Sequence, residues 1–193
     1  MASIPHPDPN DPAVAAVLNE VRSNRGAVGS FHTQMAHVPA LVEAFERYSA
    51  MIRTQLPLEF ELFGLVVLRT VQLQSDTYEW PICVSIGRKG GIDDAKIIEL
   101  WDWRNSAHFT PRQKAALAIV DEHVGSGRSG RRTAAAAALG TLTEREIIGV
   151  CAVMGWFLFI GSFTLPLELV PASYDVPFAM DAERHENEDT RNG

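Results

Sequence analysis

Nineteen consecutive residues, Ile147 to Leu165, carry no charge. As a helix this run is about 28 Å long. It must bury most of its surface in a membrane, in a protein core or against another subunit. Gly149, Gly155 and Gly161 interrupt the run, Pro166 ends it, and no basic anchor flanks it. A core or interface helix is therefore preferred over a membrane span. Thr143 to Glu146 has the spacing of a capping box and opens the helix. An apolar surface of this size in a chain of 193 residues predicts a homo-oligomer, because one small monomer has limited room to bury it on every side.

The elements that would pack against it read as further helices. Residues 1–12 form an extended, Pro-rich arm, and residues 171–193 a polar tail, leaving 13–170 as the helical domain. Asn10 or Asp11 caps a first helix with Pro12 at its first position, and apolar residues 14, 17, 18 and 21 form its stripe. Residues 25–30 read as a loop. Pro39 begins a helix to about Thr54 with Leu41, Val42, Phe45, Tyr48 and Ile52 on its apolar face. Pro57 opens a helix from Leu58 to about Gln74, whose centre, Leu62 to Leu68, is apolar on nearly all sides.

The segment 75–77 breaks that helix. The next runs from Thr77 or Tyr78 to Arg88, stopped by Gly90 and Gly91, and Asp76 and Glu79 have capping-box spacing. A short helix spans Asp93 to Trp101. Thr110 and Pro111 start another to Val124, followed by a loop from Gly125 to Gly130 and a helical alanine run, 134–138. No alternating strand pattern appears. The fold class is all-α, with about eight helices.

The hydrophobic share of 46% and charged share of 21% are those of a soluble globular protein. A net charge of -7 and the lack of a basic stripe argue against a nucleic-acid partner; the densest basic cluster is Arg128 to Arg132. Cys83 and Cys151 do not make a disulfide framework, so a reducing, cytoplasmic setting is expected. No CxxC and no Cys/His zinc spacing occurs, so neither a metal nor a cofactor is expected. The N-terminus lacks the apolar stretch of a signal peptide.

Four ordered segments together resemble the carboxymuconolactone decarboxylase/alkylhydroperoxidase D-like family. They are His37-x-Pro39-Ala-Leu-x-x-Ala-Phe45, Leu65-Val-Val-Leu-Arg69, Asp76-Thr-Tyr-Glu-Trp80 leading to Ile92, and Phe109-Thr-Pro through Asp121-Glu122 with the 142–149 segment. The resemblance covers about residues 35–165. It implies an all-helical fold assembling as trimers or hexamers, with members that decarboxylate lactones or reduce peroxides through a CxxC pair. The peroxidase cysteines and histidine of such a site fall on Asp76, Glu79 and Cys83 here. The decarboxylase-like branch keeps the glutamate, with His where this chain has Cys83. The family's relay glutamate falls on Gly64.

Glu79 and Cys83 are four residues apart and share a helix face. A carboxylate in an apolar wall has a raised pKa and suits general acid/base work; otherwise Glu79 merely caps a helix. Cys83 is a substrate-contacting or reactive thiol, or a small core residue. Asp76 caps the helix or binds substrate, and Tyr78 and Trp80 line a pocket or pack between subunits. His123 approaches the site from a neighbouring element or stays at the surface; His37 and His108 read as surface or satisfied histidines. Glu61, one turn before Gly64, stands in for the relay carboxylate or is solvated. Cys151 is expected in the core. The favoured function is metal-free acid/base chemistry on a small organic substrate. The alternatives are a peroxidase using Cys83 alone and a catalytically degenerate oligomeric binding protein.

Overall fold

The computed structural model describes residues 4–125 and 133–171. Most of the expected loop after Gly125, the Arg128 to Arg132 cluster and the tail from residue 172 lie outside the described residues.

Nine α-helices occur among them: α1 Pro12–Arg25, α2 Ser30–Met35, α3 Pro39–Gln55, α4 Phe60–Gln74, α5 Glu79–Lys89, α6 Asp94–Ile98, α7 Pro111–Val120, α8 Ala134–Ala137 and α9 Glu144–Thr164. A 3-10 turn, Glu99–Asp102, follows α6, and a π-helical turn, Asp121–Gly125, follows α7. No strand is present among the described residues, only an isolated bridge between Leu139 and Leu142.

Local chemistry sets the helix starts. Asp11 caps α1 by accepting from the Ala13 N–H at 2.8 Å. Full capping boxes open α7, at Thr110 and Gln113, and α9, at Thr143 and Glu146. The N-terminal arm lies on α2 and the turn after it: Gln34 Nε2 donates to Ile4 O at 3.1 Å, and His37 Nε2 meets Pro5 O at 2.9 Å.

Three element expectations need correction. Pro57 does not open α4; the helix starts at Phe60 after Glu59. Proline disfavours helical backbone in the residue before it, and Leu56 is extended at φ -75 and ψ 142. Glu59 is extended as well, at φ -64 and ψ 153, and the helix begins only after it. The helix α2 was not foreseen, because six residues with no side-chain cap carry no readable period. The helix expected over Asp93 to Trp101 divides into α6 and the 3-10 turn.

The centre of the molecule is α4, which packs against α5, α7 and α9. Every residue from Leu65 to Gln72 is buried. That span includes one charge, Arg69, which is 5% exposed. Its Nε donates to Asp121 Oδ1 at 2.6 Å and its Nη2 to Oδ2 at 3.1 Å. Its Nη1 reaches Gln72 Oε1 and Leu100 O. Asp121 also accepts from Trp103 Nε1 at 3.2 Å and from the exposed Arg104 at 2.6 Å. One ion pair thus ties α4 to the π-turn and to the loop after α6. Paired and hydrogen-bonded on both sides, these charges tolerate burial that an unpaired charge would not.

The helix α9 is long and apolar enough to cross a membrane by length and composition. Here it packs against α4 and α7, with α2 and α3 alongside. It keeps an uncovered face: Ile148 is 66% exposed and Leu165 41%. Cys151, expected in the core, lies on this face and is exposed. At 3.6 residues per turn, an unbroken apolar run cannot show which of its sides is covered.

Asp121→Ala should lower unfolding stability by about 3–5 kcal/mol, since it strands a buried guanidinium. Arg104→Ala should cost under about 1 kcal/mol, since that partner is solvated. Urea unfolding of both variants checks this; equal small losses would remove Arg69–Asp121 as the fold's anchor.

Candidate active site

The turn between α4 and α5 sets the site. Ser75 ends α4 in the left-handed region (φ 55) and reverses the chain. Asp76, 1% exposed, then accepts from the Tyr78 N–H at 2.9 Å and the Glu79 N–H at 3.1 Å through Oδ1. Its other oxygen takes the Thr164 hydroxyl at 2.7 Å. Asp76 therefore caps α5 and fastens it to the end of α9.

The return half of a capping box is absent. The Asp76 N–H bonds Val71 O instead, so the Glu79 carboxylate is not spent on capping. It turns to the next turn of α5, where the Cys83 thiol donates to Glu79 Oε2 at 3.7 Å. Both residues are buried, Glu79 at 9% and Cys83 at 7% exposure. Burial first, and then the neighbouring Asp76 carboxylate, raises the Glu79 pKa to about 7; the Cys83 hydrogen bond and Arg25 offset part of the rise. Burial and the Glu79 carboxylate push the Cys83 thiol well above its ordinary range. At neutral pH the pair is a protonated thiol beside a carboxylate poised near its own titration point.

Cys83 lines a cavity of about 390 Å³ between α3, α4, α5 and α9. Its walls are apolar, with Leu58, Phe60, Phe63, Val67, Trp156 and Phe157 prominent; Arg53 is the single charged lining residue among the described residues. Glu79 is not a lining residue and stands behind the thiol. Glycine shapes this space twice. A Cβ at Gly90 would overlap the Phe60 ring, so the bare backbone lets Phe60 close over α5. A Cβ at Gly64 would stand 2.5 Å from Ile92 Cδ1. Where the resemblance implies a relay carboxylate, the isoleucine therefore takes the space.

The other anticipated residues lie elsewhere. Tyr78 is a core residue whose hydroxyl accepts from the Phe31 N–H at 3.4 Å. Trp80 is 2% exposed and also outside the cavity. Each is one step from Glu79 along the helix, a turn of about 100° away from the Glu79–Cys83 face. His123 sits exposed on the π-turn and does not line the cavity. His37 bonds the N-terminal arm, and His108 contacts Glu99 at 3.6 Å. Glu61 pairs with Lys96 at 2.6 Å and accepts from Gln113 at 3.0 Å, so it is no relay to Cys83.

Several lining residues were not anticipated. Arg53 has the pattern of a solvated helix position, and Trp156 and Phe157 are concealed in the uniform apolar run. A second polar cluster joins α1, α2 and α3. Arg25 Nε contacts both oxygens of Glu46 at 2.9 Å, and His32 Nε2 meets Oε1 at 3.1 Å. Burial acts to raise the Glu46 pKa, but His32 and Arg25 outweigh it and hold the carboxyl down to about 2. Among the described residues no three His, Cys, Asp or Glu side chains converge as metal ligands.

Such an all-helical arrangement defines an alkylhydroperoxidase D-like fold, and comparison with solved structures agrees. The debrominase Bmp8, as a cysteine-to-alanine variant in complex with 2,3,4-tribromopyrrole, superposes with a TM-score of 0.72 at 15% identity, covering 96% of this chain and 99% of its own. The alkylhydroperoxidase AhpD core of a peroxidase-related protein from Ralstonia eutropha JMP134 gives 0.70 at 18% identity, over 90% and 93%. A peroxidase-related protein from Silicibacter sp. TM1040 gives 0.72 at 13%, over 89% and 91%. No curated protein matches in sequence. Residues 39–122, from α3 into the π-turn, match the model of the carboxymuconolactone decarboxylase family.

The raised Glu79 pKa makes a signed prediction. Between pH 4.5 and about 7 the unfolded chain releases this proton while the folded chain retains it. Stability is therefore lost as pH rises through that window, by about 3 kcal/mol at its upper end. Glu79→Gln should match wild type in stability at pH 4 and exceed it by about that amount at pH 8. Thermal unfolding across pH checks this; a difference that does not vary with pH would refute the assignment.

Proposed function

We propose that the protein is an acid/base enzyme of the carboxymuconolactone decarboxylase type, acting on a small organic carbonyl or lactone compound held beside Cys83. The observation that carries this reading is the Cys83–Glu79 contact of 3.7 Å at the wall of the apolar cavity. The thiol is the group that meets the substrate, and the carboxylate behind it is its proton partner.

The proton steps balance without an oxidant, a reductant or a metal. Sγ takes a proton from the carbon next to the carbonyl as its own proton passes to Glu79. The electron pair moves onto the carbonyl oxygen as an enolate. The reverse relay returns a proton to that carbon or to its vinylogous neighbour. A base with a pKa near 7 is matched to this work at neutral pH, and the apolar walls keep water from competing for the enolate.

A second reading uses Cys83 for redox chemistry. It is supported by the peroxidase-related structural neighbours and by the position of Cys83 as the cavity's one cysteine. Peroxide would oxidise Sγ to a sulfenic acid with release of water, and an external thiol would reduce it. Two carboxylates beside the sulfur oppose the thiolate that this needs, and Cys151 lies exposed on α9 rather than lining the cavity. The acid/base reading is therefore preferred. A homo-oligomer, trimeric or hexameric, fits the same proposal, because it would cover the exposed face of α9 that carries Ile148 and Leu165.

Glu79→Gln should reduce turnover of a lactone or enolisable ketone by roughly 100-fold or more, while wild-type activity falls as pH drops below about 7. The same variant should accelerate alkylation of Cys83 by iodoacetamide at pH 8, since the neighbouring negative charge is gone. Unchanged turnover would remove Glu79 from the mechanism. Rapid sulfenic acid formation in dilute peroxide would favour the redox reading instead.

A further inference from the structure

Among the side chains that line the cavity, Arg53 stands apart. It projects from the last turn of α3, and its Nε donates to Ser49 O at 3.3 Å, within its own helix. Among the described residues no carboxylate pairs with it. The nearby anion, Glu46, is already engaged by Arg25 and His32. Arg53 is exposed, so its terminal N–H groups are open to solvent or a ligand, and its planar fork matches a carboxylate in a bidentate manner.

Trp156 lies on the same walls and is 6% exposed; its Nε1–H has no partner among the described residues and is sealed from the cavity, so the side chain offers an occupant its apolar ring. The remaining walls are rings and aliphatic side chains suited to a flat apolar body. The volume lies at the small end of the range for small-molecule sites, about 300–1,000 Å³.

Electrostatics then give the occupant a direction. Asp76 and Glu79 lie behind Cys83 and repel a negative group there, whereas Arg53 attracts one. We propose that Arg53 is the specificity-determining residue of this cavity, and that the substrate is a small, largely apolar ring compound bearing one carboxylate. The carboxylate sits on Arg53, and the uncharged reacting part faces the Cys83 thiol. This rests on the cavity being the substrate site, as in the acid/base reading above, but not on Glu79 being the base.

Phenylacetate and its neutral isostere phenylacetamide test the proposal on the intact protein. Binding is read from protection of Cys83 against iodoacetamide and from quenching of tryptophan fluorescence. Wild type should bind phenylacetate about tenfold more tightly than phenylacetamide. In Arg53→Met, which keeps the aliphatic stem, that preference should vanish while phenylacetamide binds as before. Preference for the anion that survives in Arg53→Met overturns the proposal. So does equal binding of both probes by wild type, or failure of both to protect Cys83. Glu79→Gln separates the two readings: it should retain the anion preference even if it also retains activity, in which case the acid/base role alone fails.

Discussion

The buried ion pair between Arg69 and Asp121 holds the other elements in place. Arg69 is the one charge in a stretch of α4 that is buried on every side. Such a charge is tolerable only where an anion meets it with good geometry. Asp121 does so through both oxygens, and it can because the π-turn carries it in from the end of α7. The pair thereby fixes the axial position of α4 against α7 and draws in the loop at Leu100 and Trp103. Every cavity wall contributed by α4, from Phe60 to Val67, takes its position from that setting.

The site itself is built at a cost in stability. Asp76 has three hydrogen bonds and does structural work. Glu79, three residues on, is offered only a weakly polar thiol at 3.7 Å. The burial that raises its pKa to about 7 does so by penalising its ionised form. Division of labour between two adjacent acids, one satisfied and one left wanting, is how a chain obtains a reactive carboxylate inside an apolar wall. Gly64 stands where the resemblance implies a relay carboxylate and Ile92 fills the space, so the mechanism proposed above runs through the Glu79–Cys83 pair.

Much of this was legible from the residues in order. The signals Asp11-Pro12, Thr110-Pro111 and Thr143 to Glu146 marked helix starts correctly because capping is local chemistry, settled within four residues. The i, i+4 relation of Glu79 and Cys83 was equally readable, since it depends only on helical period. Where a single helix offered several faces, local reading failed. Tyr78 and Trp80 read as lining a pocket or packing between subunits, yet they turn into the core. Cys151 read as buried because its neighbours are apolar, although it lies on the uncovered side of α9. Arg53 is exposed, as its place on the polar side of α3 implies, and only the packing of α4, α5 and α9 beside it puts it on the cavity.

The sequence alone determined an all-helical chain, the position of its breaks, a match of residues 39–122 to one family model, and one helical face bearing a carboxylate and a thiol. Each of those is encoded by spacing or by contacts within a few residues. Only the tertiary structure decided that Glu79 stands behind Cys83 rather than on the cavity, that Ile92 occupies the place beside Gly64, and that Arg53, Trp156 and Phe157 from distant helices complete the walls. Those facts depend on how helices far apart in the chain rotate about their axes when they pack. That rotation is set by the sum of many contacts and by one buried ion pair, and no local pattern records it.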